Sequence, residues 1–306
     1  MIRINKNESP LRPLTEAQLT SIIHHASFNF YPDEEYERFK AGYARYYNLS
    51  PDQIIAGNGS DELIQKLMLI MPEGPALALN PDFFMYQAYA DQVHRPIAFV
   101  NADNDLTFNL ENILSRIEAV QPAFFIMSNP HNPSGKQYNL TFLTAIADKM
   151  KNIGGYFVID EAYLDFGDAY TLELQPHVLQ MRTLSKAFGI AGLRLGVFFM
   201  FEHIDKTRTF IEHQRALAVR LRQMFQDNVS DIMKVFPSST NFVLTKGSAA
   251  QSLGLYIEDH GFLPRRYDEP NMNDYVRYSI ATDDQLDQLE QLIKSWRSQY
   301  DISKET

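Results

Sequence analysis

The sequence has no cysteine among its 306 residues. This absence excludes disulfides, cysteine-ligated metal sites and thiol catalysis, and it suits the cytoplasm. No apolar run reaches the roughly 18 residues that a membrane helix needs. The opening segment MIRINKNESP also lacks the apolar region of a secretory signal. We therefore expect a cytoplasmic protein without a membrane-spanning segment.

Positive charge is also scarce. The chain has 28 Lys and Arg against 38 Asp and Glu, which gives a net charge of −10. A nucleic-acid partner requires a basic surface, and no basic arm or helix-turn-helix pattern is visible. No histidine-rich cluster indicates a metal either. An anionic small substrate is still possible, but it needs a local group of Arg or Lys side chains.

Apolar residues make up 45% of the chain, enough for a large core. From residue 29 to 202, apolar strand-like runs alternate with helical patterns, which predicts a mostly parallel sheet between two layers of helices. These runs lie at residues 76–80, 123–127, 156–160, 179–184 and 196–201.

The ends of the chain have a different pattern. Residues 1–28 are polar and interrupted by Pro10 and Pro13, which predicts a surface arm that we assign to the smaller domain. Residues 203–306 alternate helical patterns with a few strands and predict that smaller α+β domain. Trp296, the only tryptophan, is expected to pack the last helix.

The segment AGNGSDELIQKLM (56–68) predicts a helix with Ser60 as its N-cap. The backbone N–H groups of Asp61 and Glu62, at the positive end of the helix dipole, could bind a phosphate. Their side chains would then point away. An ordinary capped helix explains the pattern equally well.

Two further segments follow predicted strands. In SNPHNPSGK (128–136), Asn132 could offer its amide to a ligand, although a structural loop also fits. In YFVIDEAYLDF (156–166), Asp160 and Glu161 end a strand on opposite faces, so they cannot easily chelate one metal ion. A single buried carboxylate facing one cation fits better.

The segment TLSKAFGIAGLRLG (183–196) places Lys186 among small and apolar residues, with Arg194 nearby. A surface pair is one interpretation. An amine in an apolar pocket is also a nucleophile that can bind an aldehyde cofactor as an imine, and pyridoxal 5′-phosphate is such a cofactor. It needs that lysine, an acid at its ring nitrogen, donors at its phenolate oxygen and a phosphate site. The sequence offers Lys186, then Asp160, then Asn132 with Tyr163, and finally residues 58–62 with Ser185 and Arg194.

Seven segments, in this order, resemble the fold-type I pyridoxal-phosphate aminotransferases, most closely the histidinol-phosphate aminotransferase branch. They are NKNESP, GNGSDELI, PDFFMY, NPHNPSG, VIDEAYLDF, TLSKAFGIAGLRLG and VRYSIATDD. The resemblance implies an α/β large domain with a mostly parallel, seven-stranded type of sheet sandwiched by helices, and a smaller α+β domain. It also implies a homodimer with shared active sites.

The resemblance also implies roles for the cofactor-binding residues. Lys186 would hold the cofactor covalently and move a proton at the substrate. Asp160 would pair with the ring nitrogen, Tyr163 and Asn132 would bind the phenolate oxygen, and Tyr86 would stack on the ring or simply pack in the core. The phosphate end would involve Ser60, Asp61, Glu62, Thr183, Ser185 and Arg194.

The substrate-binding residues follow in the same way. Arg277 would hold the substrate α-carboxylate, unless it is an exposed strand residue. Tyr31 would reach the neighbouring subunit's cofactor phosphate, and Asn7 belongs to a segment that would close over the substrate. Arg265 and Arg266 either meet a substrate phosphate or are surface charges.

The expected activity is transfer of an amino group from L-histidinol phosphate to 2-oxoglutarate, giving imidazole acetol phosphate and L-glutamate in histidine biosynthesis. An aromatic amino-acid aminotransferase or a threonine-phosphate decarboxylase has a similar pattern. A cofactor-binding regulatory protein or an inactive homologue is the non-enzymatic alternative. The chain also departs from the family after residue 201, where a segment is absent, through either a true deletion or a loop left out of the sequence.

Overall fold

The computed structural model describes residues 1–25, 35–173, 175–192 and 204–305, which form two five-stranded sheets with helices around them. In chain order the strands are β1 (Ile2–Ile4), β2 (Ala76–Asn80), β3 (Ile97–Asn101), β4 (Phe124–Ser128), β5 (Tyr156–Asp160), β6 (Val178–Met181), β7 (Lys234–Val235), β8 (Phe242–Lys246), β9 (Phe262–Arg266) and β10 (Tyr275–Ser279). The helices are α1 (Glu16–His25), α2 (Glu35–Tyr47), α3 (Gly59–Ile70), α4 (Met85–Gln92), α5 (Leu110–Val120), α6 (Leu140–Asn152), α7 (Ile204–Val229), α8 (Ser248–Asp259) and α9 (Asp283–Glu305).

The first sheet has the strand order β3-β2-β4-β5-β6, and every pair in it is parallel. Its strands are apolar on both faces because helices cover both. Leu77 and Leu79 face the cluster that contains α5 and α6. Ala76 and Ala78 face the cluster that contains α3 and α4. The predicted parallel sheet between two helical layers is confirmed.

The described part of this sheet has five strands, whereas the resemblance implies a seven-stranded type. The predicted strand at 196–201 and the departure from the family after residue 201 both lie outside the described residues. The domain boundaries after residues 28 and 202 also lie there, so the division of the chain stays a prediction.

The second sheet has the order β1-β9-β10-β8-β7. β1 is parallel to β9, and the remaining neighbours are antiparallel. Residues of α7, α8 and α9 pack on it in one large apolar cluster. Trp296 belongs to that cluster, is 3% exposed and donates its indole N–H to Ser252 at 3.2 Å, which confirms its packing role. Among the described helices, none is both long and apolar enough to span a membrane.

The prediction of a surface arm for residues 1–28 is wrong at its start. Ile2–Ile4 pairs in register with β9, and the Ile4 side chain is fully buried. Residues 16–25 form a helix that was not predicted, and its half-buried Leu19 and Ile22 pack against the large apolar cluster of the second sheet.

A small apolar cluster joins the two sheets. Leu106, from the turn after β3, packs with Phe236, Leu244, Met272 and Tyr275 of the second sheet and its loops. Lys246 also donates to the Asn104 carbonyl at 3.4 Å. We call the five apolar residues, Leu106, Phe236, Leu244, Met272 and Tyr275, the seam cluster.

Candidate active site

The candidate site lies at the carboxyl ends of the parallel strands. β4 lies between β2 and β5, so Ser128, Asp160 and the loop after Asn80 meet at one edge of the sheet. Loops at this edge of an α/β sheet are the usual place for ligands. The sheet therefore brings the predicted segments after residues 80, 128 and 160 together.

Asp160 is a buried acid at this edge, with 4% of its surface exposed. Its Oδ2 accepts a hydrogen bond from the Tyr86 hydroxyl at 2.9 Å, and its Oδ1 accepts one from the Ala162 N–H at 3.1 Å. Burial raises the pKa of the carboxyl group to about 7. Within the described residues no Lys, Arg or His forms an ion pair with it, so the acid is available for a cationic ligand.

Glu161 points to the other face of the strand, as predicted. Its carboxylate pairs with Arg182 at 2.8 Å and accepts from the Tyr170 hydroxyl at 2.7 Å. Burial is the main cause that raises the Glu161 pKa, and Arg182 opposes it. The buried charge of Glu161 is thus balanced by Arg182, and its carboxylate has hydrogen-bond donors within the protein. In the described chain no group of three or more His, Asp or Glu side chains could hold a metal ion.

Lys186 lies in the loop after β6 and is half-buried. Its Nζ donates to the Lys6 carbonyl at 3.2 Å and lies 5.7 Å from the centre of the Tyr163 ring. Gln214 of α7 donates to the Lys186 carbonyl at 3.3 Å and to the Ala187 carbonyl at 2.8 Å. The backbone of this loop is therefore fixed, while the amine has a carbonyl and a ring face beside it among the residues that the structure describes.

Tyr163 and Asn7 form a buried pair beside Lys186. The Asn7 amide donates to the Tyr163 hydroxyl at 2.8 Å and accepts from the Ser279 hydroxyl at 2.7 Å. Asn7 is 2% exposed, and Asn241 donates to its carbonyl at 3.1 Å. The segment expected to close over a substrate is thus packed between the two sheets, with Tyr163 oriented by Asn7.

Arg277, on β10 of the second sheet, contacts the same N-terminal segment through Asn5. Its Nη1 donates to Asn132 Oδ1 at 2.7 Å and its Nη2 to the Asn5 carbonyl at 2.9 Å. With 9% of its surface exposed, it is not the exposed strand residue of the alternative interpretation. Its Nε is buried and has no partner among the described residues, and the buried Tyr267 hydroxyl has none either. The unpaired Nε of this guanidinium and the unpaired hydroxyl of the nearby Tyr267 fit an anionic ligand.

The expected phosphate end differs from the prediction. Asn58, not Ser60, is the N-cap of α3, and Ser60 lies inside the helix. The side chain of Glu62 does not point away. It folds back to accept from the Asn58 N–H and pairs with Lys66 at 2.7 Å. Asp61 is exposed. The long side chain of Glu62 can reach the N–H of Asn58 at its own helix start, which explains why it does not point away.

Other predicted residues are placed as follows. The Thr183 and Ser185 hydroxyls lie 3.0 Å apart and shape the turn before Lys186. Arg265 is exposed and lies 3.9 Å from Glu269, whereas Arg266 pairs with Glu258 at 3.2 Å. Arg194 and Tyr31 lie outside the described residues, and their roles stay predictions, as does ring stacking by the fully buried Tyr86.

Sequence reasoning missed His131 and Asp82. His131 is fully buried, donates from Nε2 to the Pro81 carbonyl at 2.9 Å and accepts at Nδ1 from Ser134 at 2.7 Å. The carbonyl can only accept, which fixes this tautomer. Burial lowers the His131 pKa to about 4, so the ring is neutral at pH 7. It ties the loop of Asn132 to the loop of Asp82.

Gly135 in the same loop gives a direct test of how closely the site is packed. Its φ is +78°, and a Cβ there would lie 2.6 Å from Ser238 Oγ. Gly154 has a φ of +73° with nothing within 4 Å of its Cβ position, so it is the matched control. Both alanine variants suffer about 1–2 kcal/mol of backbone strain. Gly135→Ala should lose about 1–3 kcal/mol more through overpacking. Urea unfolding of both variants measures this, and equal losses would contradict the close approach.

Comparisons with known proteins point in one direction. A family model described as aminotransferase class I and II matches residues 1–230. A histidinol-phosphate aminotransferase of Caldanaerobacter subterraneus subsp. tengcongensis is 29% identical over an alignment of 323 positions, which covers 94% of this chain and 90% of that protein.

Two solved structures share the fold. The histidinol-phosphate aminotransferase of Clostridium acetobutylicum aligns with a TM-score of 0.83 at 20% identity, covering 98% of this chain and 100% of that one. The enzyme of the same name from Sinorhizobium meliloti, in complex with pyridoxal 5′-phosphate, aligns with a TM-score of 0.81 at 24% identity, covering 98% and 91%.

Proposed function

Because the chain belongs to the class I and II aminotransferases, we propose that it uses pyridoxal 5′-phosphate to transfer an amino group from L-histidinol phosphate to 2-oxoglutarate. The observation that carries the cofactor assignment is Asp160, a buried carboxyl group without a cation in the described chain. The curated relatives, named histidinol-phosphate aminotransferases, support the choice of amine.

The residues present fit this cofactor. A buried acid is costly unless it meets a positive group, and a protonated pyridine nitrogen is such a group. Lys186 supplies an amine in the loop after the neighbouring strand β6. The Tyr163 ring faces that amine, and its hydroxyl could meet a phenolate oxygen. Residues at the start of α3, with Thr183 and Ser185, would hold the phosphate group.

Each residue has a distinct chemical task in this proposal. Bound pyridoxal phosphate supplies an electron sink for the negative charge that develops at the substrate Cα. Asp160 keeps negative charge at the ring nitrogen. Lys186, as a free amine, would take the proton from the substrate Cα and deliver it to C4′ of the cofactor, two bonds away. Tyr163, held by Asn7, orients the ring edge.

Arg277 has the task of holding the acidic group of the substrate. Its guanidinium lies 5.0 Å from the centre of the Phe242 ring, which leaves its edge for hydrogen bonding. A planar fork of donors matches a carboxylate or a phosphate. Because Arg277 itself is buried, with 9% of its surface exposed, this contact would also select substrates by charge.

The choice of amine is tested by substrate profiling. The purified holoenzyme is given 2-oxoglutarate with histidinol phosphate, phenylalanine or threonine phosphate, and glutamate and CO₂ are measured. We expect glutamate formation with histidinol phosphate at a kcat/KM at least 10-fold above that with phenylalanine, a difference of about 1.4 kcal/mol. Equal turnover of phenylalanine would indicate an aromatic aminotransferase. Release of CO₂ from threonine phosphate would indicate the decarboxylase, and either result overturns the proposal.

A homodimer with shared active sites stays a prediction of the family resemblance, and a cytoplasmic location stays a prediction from the sequence composition. Tyr31, which would reach the partner subunit's cofactor phosphate, is outside the described residues. Sedimentation of the purified protein measures the oligomeric state directly.

Arg277→Ala should raise the KM for 2-oxoglutarate at least about 30-fold, because losing one partner of a buried charge pair costs about 2–5 kcal/mol. The kcat should fall less, since the reacting groups are untouched. Steady-state kinetics separates the two effects. Arg220→Ala is the control, because Arg220 is bound to Asp283 and Asp287 away from the site. Unchanged KM in the Arg277 variant would exclude it as the carboxylate ligand.

A further inference from the structure

Asp82 is an acid at the site that the proposed reaction does not use. It lies between β2 and α4 and is half-buried. Its Oδ1 accepts from the Phe83 N–H at 2.7 Å and from the Ser128 hydroxyl, and its Oδ2 accepts from the Ser128 N–H at 3.0 Å. Two of its three donors therefore belong to one residue on another strand.

Asp82 is neither a helix cap nor half of an ion pair. The N-cap of α4 is Phe84, which has no side-chain capping bond. Among the described residues no Lys, Arg or His lies within ion-pair distance of Asp82. Burial raises its pKa to about 7. An acid in such surroundings costs stability rather than adding to it, which points to a role other than holding the fold together.

Ser128 carries the next contact. It ends β4 and is 2% exposed. While its hydroxyl hydrogen goes to Asp82, its oxygen accepts from the Asn132 N–H at 3.0 Å. A hydroxyl has only one hydrogen to give. Asp82 therefore orients the O–H bond of Ser128 toward itself. The lone pairs of the Ser128 oxygen are left to accept from the Asn132 N–H.

Asn132 carries the last contact. Its side-chain oxygen accepts from Arg277 Nη1 at 2.7 Å. The four residues thus form one continuous chain of hydrogen bonds from the floor of the first sheet to the cation of the second. Within Asn132 the contact passes covalently from the backbone N–H to the side-chain amide, whose oxygen accepts because a guanidinium can only donate.

We propose that Asp82 is a positioning residue, which acts through Ser128 to hold the Asn132 loop where its amide oxygen orients the Arg277 guanidinium for the acidic group of the substrate. This inference rests on the proposed function for the identity of the substrate. The hydrogen-bond chain itself does not depend on that identity.

The test uses Asp82→Asn and Ser128→Ala. An asparagine at 82 has one acceptor atom and would present an NH₂ group to the Ser128 N–H. Ser128→Ala leaves the Asn132 N–H without its acceptor. Asp91→Asn is the matched control, because Asp91 is exposed on α4 and its carboxylate accepts a side-chain hydrogen bond from Gln87 alone in the described chain. Ser128→Thr keeps the hydroxyl and is the rescue variant.

The first readout is hydrogen exchange at the Asn132 amide, in protein without cofactor and in holoenzyme. Loss of one hydrogen bond of ordinary strength should speed this exchange about 10-fold in both test variants. The control should match the wild type, and Ser128→Thr should restore protection. No change at this amide overturns the proposal, whatever the enzyme's substrate is.

The second readout is the division between KM and kcat. We expect the KM for 2-oxoglutarate to rise about 10-fold in both test variants, with kcat within about 2-fold, as for loss of one oriented contact. Exchange that rises uniformly along the chain, with a lower unfolding midpoint and unchanged KM, would show a merely structural role and overturn the proposal. If no amine is turned over, the proposed function fails while the amide exchange still decides the role of Asp82.

Discussion

Replacement of Lys186 by alanine is expected to lower transamination by about 10⁴-fold or more. Proton transfer by a positioned group contributes about 10²–10⁴-fold, and the covalent hold on the cofactor is lost as well. The backbone around residue 186 is fixed by Gln214 rather than by the lysine side chain, so the loop should keep its shape. Turnover of histidinol phosphate with 2-oxoglutarate gives the first measurement.

The covalent hold is measured separately. Borohydride treatment of the holoenzyme should add the cofactor mass to the peptide that contains residue 186, and the alanine variant should show no such addition. Lys294→Ala is the control, because that exposed lysine pairs with Glu290 on α9, far from the site. Full activity of the Lys186 variant, or the cofactor on another lysine, would refute the assignment.

Asp160→Asn should have two opposite effects. Activity should fall about 10³-fold, the usual effect of removing one preorganised electrostatic group from an active site. The cofactor-free protein should become more stable at pH 8, because the amide has no charge to bury. It can still accept from the Ala162 N–H and meet the Tyr86 hydroxyl.

The stability gain depends on pH in a defined direction. The pKa of the Asp160 carboxyl group is about 7 in the folded protein and 3.8 in the unfolded chain. Between these values the unfolded chain has lost the proton and the folded chain has not, so wild-type stability falls as pH rises. The slope is about 1.4 kcal/mol per pH unit for this group. The advantage of Asp160→Asn should therefore grow from pH 5 to pH 8.

Urea unfolding of the cofactor-free proteins at several pH values measures this difference. Asp227→Asn, an exposed change on α7, should run parallel to the wild type. An Asp160 variant that is less stable than the wild type at every pH would mean that its charge is already compensated in the folded protein.

The sequence pattern predicted the bounds of a strand best where both faces of that strand are buried. The runs at 76–80 and 156–160 coincide with β2 and β5 because a strand covered on both faces is apolar at every position. The run at 179–184 ends earlier than predicted, at Met181. Arg182 leaves the strand to pair with Glu161, a contact between distant segments that no local pattern contains.

The site was predicted in its parts rather than in its connections. Lys186 and Asp160 are ionisable residues in apolar sequence surroundings, which is visible in the sequence alone, whereas Arg277 was singled out by the family resemblance. Asp82 and Ser128 are ordinary loop and strand-end residues there, and their contact exists only because β2 and β4 are neighbours. The bond between Asn132 and Arg277 needs both sheets to be in place.

The seam cluster limits how such proteins can be recombined. Leu106 comes from the first sheet's connections, while its partners Phe236, Leu244, Met272 and Tyr275 come from the second. A chimaera that borrows the carboxy-terminal half from a relative would inherit only one side of this contact. Leu106 would then pack against side chains of a different size and shape. A chimaera that keeps this packing must therefore take residues 104–106 from the same relative as the carboxy-terminal half.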